Sequence, residues 1–116
     1  MQTQNISVIS TQTLTMTGTT AINFDAYAIR GASVVAFGFA WTGTPTGTWK
    51  VQCACTNSTP ASTDWCDVSS ATFSAAGAAA AGAINLANVG YSWVRLVYTN
   101  ASGTGAVTNA FVCAKG

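Results

Sequence analysis

Apolar side chains return at every second position through much of this chain, the spacing of half-buried strands, while helix signals are poor. Within residues 34–41, Val35, Phe37, Phe39 and Trp41 share one strand face. Residues 48–56 set Trp49, Val51, Cys53 and Cys55 on one side and Lys50, Gln52 and Ala54 on the other. Residues 91–99 give an apolar face of Val94, Leu96 and Tyr98, with Trp93 and Arg95 together on the opposite one. Residues 106–114 place Val107, Phe111 and Cys113 on a common side. Shorter strand candidates cover residues 6–8, 14–17, 21–24, 65–68 and 72–74.

Turn chemistry punctuates these runs. The segments TGTPTG (42–47) and NASGTG (100–105) are short and contain glycine, which predicts two antiparallel hairpins. The stretch SAAGAAAAGA (74–83) carries helix-favouring alanine, but Gly77 and Gly82 oppose a helix and no amphipathic stripe runs along it. It reads as a loop leading into a strand that ends near Leu86, with side chains small enough for two sheets or two subunits to approach closely. The expected fold is all-β: one antiparallel β-sandwich domain over residues 1–116, jelly-roll-like. Residues 1–20 form an extended N-terminal arm or edge strands, and no helix exceeds a turn or two.

Composition sharpens this picture. Hydrophobic residues are 49% of the chain and charged residues only 6%, with no His, against roughly 25% charge in ordinary soluble domains. Thr, Ser, Asn and Gln must therefore wet the surface, and such neutral groups cost less to desolvate than charges. This suits a protein pressed against other protein. The net charge is +1 and the basic residues Arg30, Lys50, Arg95 and Lys115 are scattered, so no basic patch points to nucleic acid. No apolar run is long enough for a membrane helix. The first five residues are polar and lack a signal-peptide pattern, so synthesis in the cytoplasm is expected.

Catalytic chemistry is sparse. Without His or Glu, the carboxylates are Asp25, Asp64 and Asp67. Asp64 and Asp67, three apart beside a strand, should point to opposite faces and make a poor acid–base pair. No catalytic residue, cofactor site or metal site is expected. The four cysteines, Cys53, Cys55, Cys66 and Cys113, do not have the C-x₂₋₄-C knuckles of a structural zinc site. Two readings stay open: buried thiols packing as small hydrophobes, or a disulfide such as Cys55–Cys66 closing the loop between them. Among Trp41, Trp49, Trp65 and Trp93, most are expected in the core or an interface; Trp93, beside Arg95, is the candidate exposed contact. Three Asn-x-Ser/Thr triplets, at Asn5, Asn57 and Asn100, read as chance matches in a protein made in the cytoplasm.

Several strings together resemble a group of small tailed-bacteriophage virion proteins: TGTWKVQ (46–52), TDWCDV (63–68), GYSWVRLVYT (90–99), SGTG (102–105) and the closing AKG. The similarity spans about residues 34–116, and its last strand pair is the most specific part. The resemblance implies a structural role in the virion, as a capsid decoration or cement protein or a fibre domain. The implied partners are the major capsid protein, other virion proteins and further copies of the chain in a homo-oligomer. The alternative it leaves is a carbohydrate- or receptor-binding module of a head or tail fibre. The cysteines do not belong to that pattern.

Overall fold

The computed structural model describes residues 3–8, 15–19, 21–29, 32–76, 78, 80–87 and 91–115, without the side chains of 3, 4 and 87. Leu14, Arg30, Gly77 and Gly90, which enter the sequence reading, lie outside them, as do the chain ends. The described residues form ten strands and no helix. They are β1 (Thr3–Ser7), β2 (Thr15–Met16), β3 (Ala21–Asn23), β4 (Tyr27–Ala28), β5 (Val34–Gly43), β6 (Thr46–Ala54), β7 (Cys66–Ala76), β8 (Ala80–Ala87), β9 (Trp93–Ser102) and β10 (Gly105–Lys115).

Two antiparallel five-stranded sheets pack face to face as a β-sandwich. The first runs β1-β10-β5-β8, with β2 paired to the far end of β10; the second runs β3-β9-β6-β7, with β4 beside β3 along β9. The N-terminal residues supply edge strands to both sheets. The small-residue stretch 74–83, expected as a loop, is largely strand: residues 74–76 end β7 and residues 80–83 begin β8, which runs antiparallel to β5 from Val34–Ala87 to Trp41–Ala80.

The alternating positions fill the space between the sheets. Phe37, Trp49, Val35, Val51, Val94, Leu96 and Tyr98 are completely buried. Trp49 sits at the centre. Its ring stacks on Phe39 at 4.1 Å between centroids, and Phe24, Tyr98 and Trp41 lie 5.8, 4.8 and 6.0 Å away. Such an aromatic stack combines large area burial with favourable ring geometry.

The two glycine-rich turns are not hairpins. β5 belongs to the first sheet and β6 to the second, and β9 and β10 are divided in the same way. Each turn is an arch carrying the chain from one sheet to the other, which is why the inward faces of β5 and β6 meet as Trp41 against Trp49. The arches lie side by side, joined by a 2.9 Å bond from the Thr44 N–H to the Thr104 carbonyl. Gly43 and Gly103 hold φ of 85° and 71° there. A side chain at Gly43 would also meet the Thr104 carbonyl oxygen at 2.5 Å. Arch and hairpin share the same turn residues, so the local sequence does not tell them apart.

The arches are anchored by Asn100, a buried polar residue 2% exposed. Its Oδ1 accepts from the Tyr98 hydroxyl at 2.8 Å, and its Nδ2 donates to the Gly18 and Gly103 carbonyls at 2.9 and 3.1 Å. The Asn-x-Ser triplet at 100 is thus part of the core's polar anchor, whereas Asn5 and Asn57 are exposed.

Candidate interaction surfaces

With the inner faces committed to packing, the chemistry lies on the two outer faces. On the first sheet, the outward positions of β5 are Val34, Ala36, Gly38 and Ala40, and those of β8 include Ala81, Ala83 and Asn85. On β10 a register shift between Val107 and Asn109 inserts Thr108 as an extra residue opposite β5. A bulge exchanges the faces of everything beyond it. Val107 is therefore buried, but past the bulge Ala110, Val112 and Ala114 turn inward while Phe111 and Cys113 turn outward. This corrects the expectation that Val107, Phe111 and Cys113 share a side. Phe111 is 42% exposed, one of two large exposed hydrophobics among the described residues, the other being Ile6 at 39% on edge strand β1. Beside Phe111 lies a shallow depression of about 400 Å³ lined by Asn5, Ala36, Phe37, Gly38, Ala83 and Cys113. Lys115, at the end of β10, is the charge at the rim of this face.

The outer face of the second sheet is polar and interlocked. Gln52 on β6 stands directly opposite Arg95 on β9 and Asp67 on β7. Arg95 Nε donates to Gln52 Oε1 at 2.8 Å, and Gln52 Nε2 donates to Asp67 Oδ1 at 2.9 Å. Lys50 Nζ completes the row 3.2 Å from the same carboxylate. The Gln52 and Lys50 hydrogen bonds hold the Asp67 carboxyl below its ordinary range. The Arg95 guanidinium carbon lies 4.5 Å from the centre of the Trp65 ring, a cation–π distance; partial burial lowers the guanidinium's pKa. Trp93 shares this face two residues from Arg95. It is half-buried, and its ladder partner Ala54 is 4% exposed. Trp93 and Arg95 thus lie together on an outer face, while Trp41 and Trp49 are core. Trp65 joins them from the loop before β7.

Asp67 reaches this row because β7 is distorted. Between the pairs Lys50–Thr72 and Gln52–Asp67, the single residue Val51 faces residues 68–71, with Ser70 at a φ of 63°. Asp64 sits apart in the preceding loop, where Asp64 Oδ2 accepts the Ala61 N–H at 2.8 Å. The two carboxylates occupy separate settings.

All four thiols are free. Cys53 and Cys66 are direct ladder partners of β6 and β7, whereas Cys55 lies past the last residue of β6. Cys53 packs against the core and Cys66 is exposed. Burial, then the neighbouring Cys66, Cys55 and Asp67, push the Cys53 thiol pKa up. Cys113 stands on the opposite sheet beside Phe111. Among the described residues no three Cys, Asp or Glu side chains gather into a metal-holding group.

The Trp65–Arg95 stack and the Gln52–Asp67 bond have no local sequence signal, since both depend on strand register across the distortion in β7. No protein-family model matches the chain, and no curated protein is significantly similar to it.

Proposed function

We propose that this domain is a non-enzymatic structural protein of a phage particle, a capsid decoration or cement protein that lays the outer face of its first sheet on the assembled shell. The observation that carries the reading is the chemistry of that face: Phe111 exposed among alanines, glycine, a thiol and neutral asparagines, with Lys115 the one charge on it among the described residues. An exposed aromatic beside a shallow depression, set among small and uncharged side chains, suits contact with another protein surface. The occupant is a flat, uncharged protein surface, since a charged partner would lose hydration there without gaining a counter-charge. The resemblance of residues 34–116 to virion proteins supplies the setting, with the major capsid protein as the partner at the capsid surface. Copies of the chain associate at the local symmetry axes of the shell and cover further apolar area. Many weak contacts then sum to high avidity, and binding only the assembled lattice stabilises it by mass action.

The test is a binding assay with capsids lacking the protein. Uptake in a fixed ratio, greater heat resistance of the particles and weak dependence on salt are expected, because screening acts mainly on exposed charges. Capsids that bind none of it would overturn the reading.

One observation favours a second reading, a carbohydrate- or receptor-binding module. Among the described residues Arg95 has a hydrogen-bond partner only at Nε, its guanidinium lies over Trp65, and Trp93 shares its face of β9. Planar donors beside indole faces suit a hydroxylated ring. Saturable glycan binding lost in Arg95→Ala but kept in Phe111→Ser would favour this function instead.

A further inference from the structure

The ladder pairing of Cys53 with Cys66 has a covalent consequence. Directly opposed residues of antiparallel strands hold their Cα atoms about 4.5–5.5 Å apart, inside the roughly 4.4–6.8 Å range that a disulfide spans. A diagonal pair is about 7–8 Å apart, at the limit where bridging needs backbone movement. Cys55, two residues beyond Cys53 and outside the ladder, stands at best in a diagonal relation to Cys66. We propose that Cys53 and Cys66 are an oxidation site: a low-molecular-weight disulfide such as oxidised glutathione converts them to a cross-strand bridge between β6 and β7, leaving Cys55 and Cys113 as thiols.

The reaction runs in two exchanges. The exposed Cys66 thiol loses its proton to solvent, and its sulfur attacks glutathione disulfide. A Cys66–glutathione bond forms and one glutathione thiolate leaves. Cys53 then loses its proton, and its sulfur attacks the Cys66 sulfur, releasing the second glutathione. Two protein thiols and one glutathione disulfide become one protein disulfide and two glutathione thiols. Because Cys53 is packed against the core, closure is the slower step and quickens as the pH is raised.

The bridge would close the loop 54–65 and fix Trp65, adjacent to Cys66, over Arg95. It would therefore lock the start of β7, the part of the second sheet held to β6 below the distortion by only the Gln52–Asp67 and Cys53–Cys66 pairs.

The experiment treats the native full chain with oxidised glutathione, alkylates the remaining thiols and maps the products by mass spectrometry. The expected product is lighter by two hydrogens, alkylated at Cys55 and Cys113, and melts on the order of 10 °C higher than the reduced form. Cys55→Ser should form the same bridge, no more slowly than the wild type, and Cys53→Ser should stop at the Cys66–glutathione adduct. A bridge to Cys55, a wild-type protein that stays at the glutathione adduct, or four thiols still alkylated would each overturn the proposal. The wild-type mapping decides the matter even if Cys53→Ser fails to fold.

Discussion

The two outer faces of the sandwich come from one charge-poor chain and are built in opposite ways. The first sheet turns Phe111, Cys113 and a run of alanines outward, with Lys115 at its edge. The second carries Lys50, Asp67 and Arg95, three of the chain's seven charged side chains (Lys+Arg 4, Asp+Glu 3), tied into one row through Gln52. On that row the polar groups largely satisfy each other, so it can face water alone. The first face sets Phe111 and its alanines among the neutral side chains of Asn5, Asn85 and Asn109, which no charge among the described residues ties into a network. Among the described residues, the outer-face strands of the first sheet carry only the charge of Lys115, whereas those of the second carry Lys50, Asp67 and Arg95.

Both faces depend on a shared core, so the largest expected effect is there. Trp49 is completely buried and touches Phe39, Tyr98 and Trp41. Trp49→Ala should cost about 3–5 kcal/mol, and Leu96→Ala about 2–5 kcal/mol, in urea unfolding. Trp49→Phe should cost far less than Trp49→Ala, because the indole N–H has no hydrogen-bond partner among the described residues and losing it breaks no bond. If both variants lost equal stability, the packing account of the core would be wrong.

Next in size is the anchor of the arches. Asn100→Leu would leave the Tyr98 hydroxyl and the Gly18 and Gly103 carbonyls without their partner. Each unmet buried group costs on the order of 1–3 kcal/mol. A loss of at least about 2 kcal/mol is therefore expected, with slower protection loss in the sheets than in residues 100–105 by hydrogen exchange.

The comparison itself is sharpest in a pair of surface variants. Phe111→Ser should leave the melting temperature nearly unchanged yet weaken attachment to capsids at least about tenfold, a difference of about 1.4 kcal/mol per contact. Arg95→Ala should leave attachment intact while loosening Trp65, seen as a red-shifted, more quenchable indole fluorescence. If the effects were exchanged, the second face would be the docking surface and the recognition-module function would replace the decoration one.

The contrast also explains how much was legible in the sequence. Alternation gives the right face for Val35 to Trp41 on β5, Trp49 and Val51 on β6 and Val94 to Tyr98 on β9, but it runs on to Cys55, which lies past the last residue of β6 and is exposed. The sandwich class followed from those runs and their turns. The errors sit where one residue changes phase or a turn leaves the plane of the sheet. Thr108 is an ordinary residue in an apolar strand, and nothing local marks it as the bulge that turns Phe111 outward. The glycines at 43 and 103 specify a left-handed backbone, and not which sheet the next strand joins. The Gln52 row stayed hidden because Asp67 is brought opposite Gln52 only by the distortion over residues 68–71, a tertiary fact. Trp93 with Arg95 was readable as a same-face pair; Trp65, arriving from a loop, was not.

The smallest effect concerns pH and belongs to the second face alone. Hydrogen bonds from Gln52 and Lys50 lower the Asp67 pKa from its ordinary value of 3.8. A carboxylate whose folded pKa is depressed contributes stability that is fully present above the unfolded value and is lost as the pH falls through the folded one. The Asp67 side chain is 61% exposed, so water screens the row and the contribution stays within about 0.2–1 kcal/mol. Wild-type protein should therefore lose this small increment as the pH falls below 3.8, and the loss should shrink in high salt. Asp67→Asn should be slightly less stable near neutral pH and lack that increment in acid, while Phe111→Ser keeps the wild-type acid limb. Melting curves from neutral pH down to acid on the three proteins make the comparison. If Asp67→Asn and wild type ran parallel throughout, the row would carry no energetic weight, and the second face would be held only by the Trp65–Arg95 stack and the strand ladder beneath it.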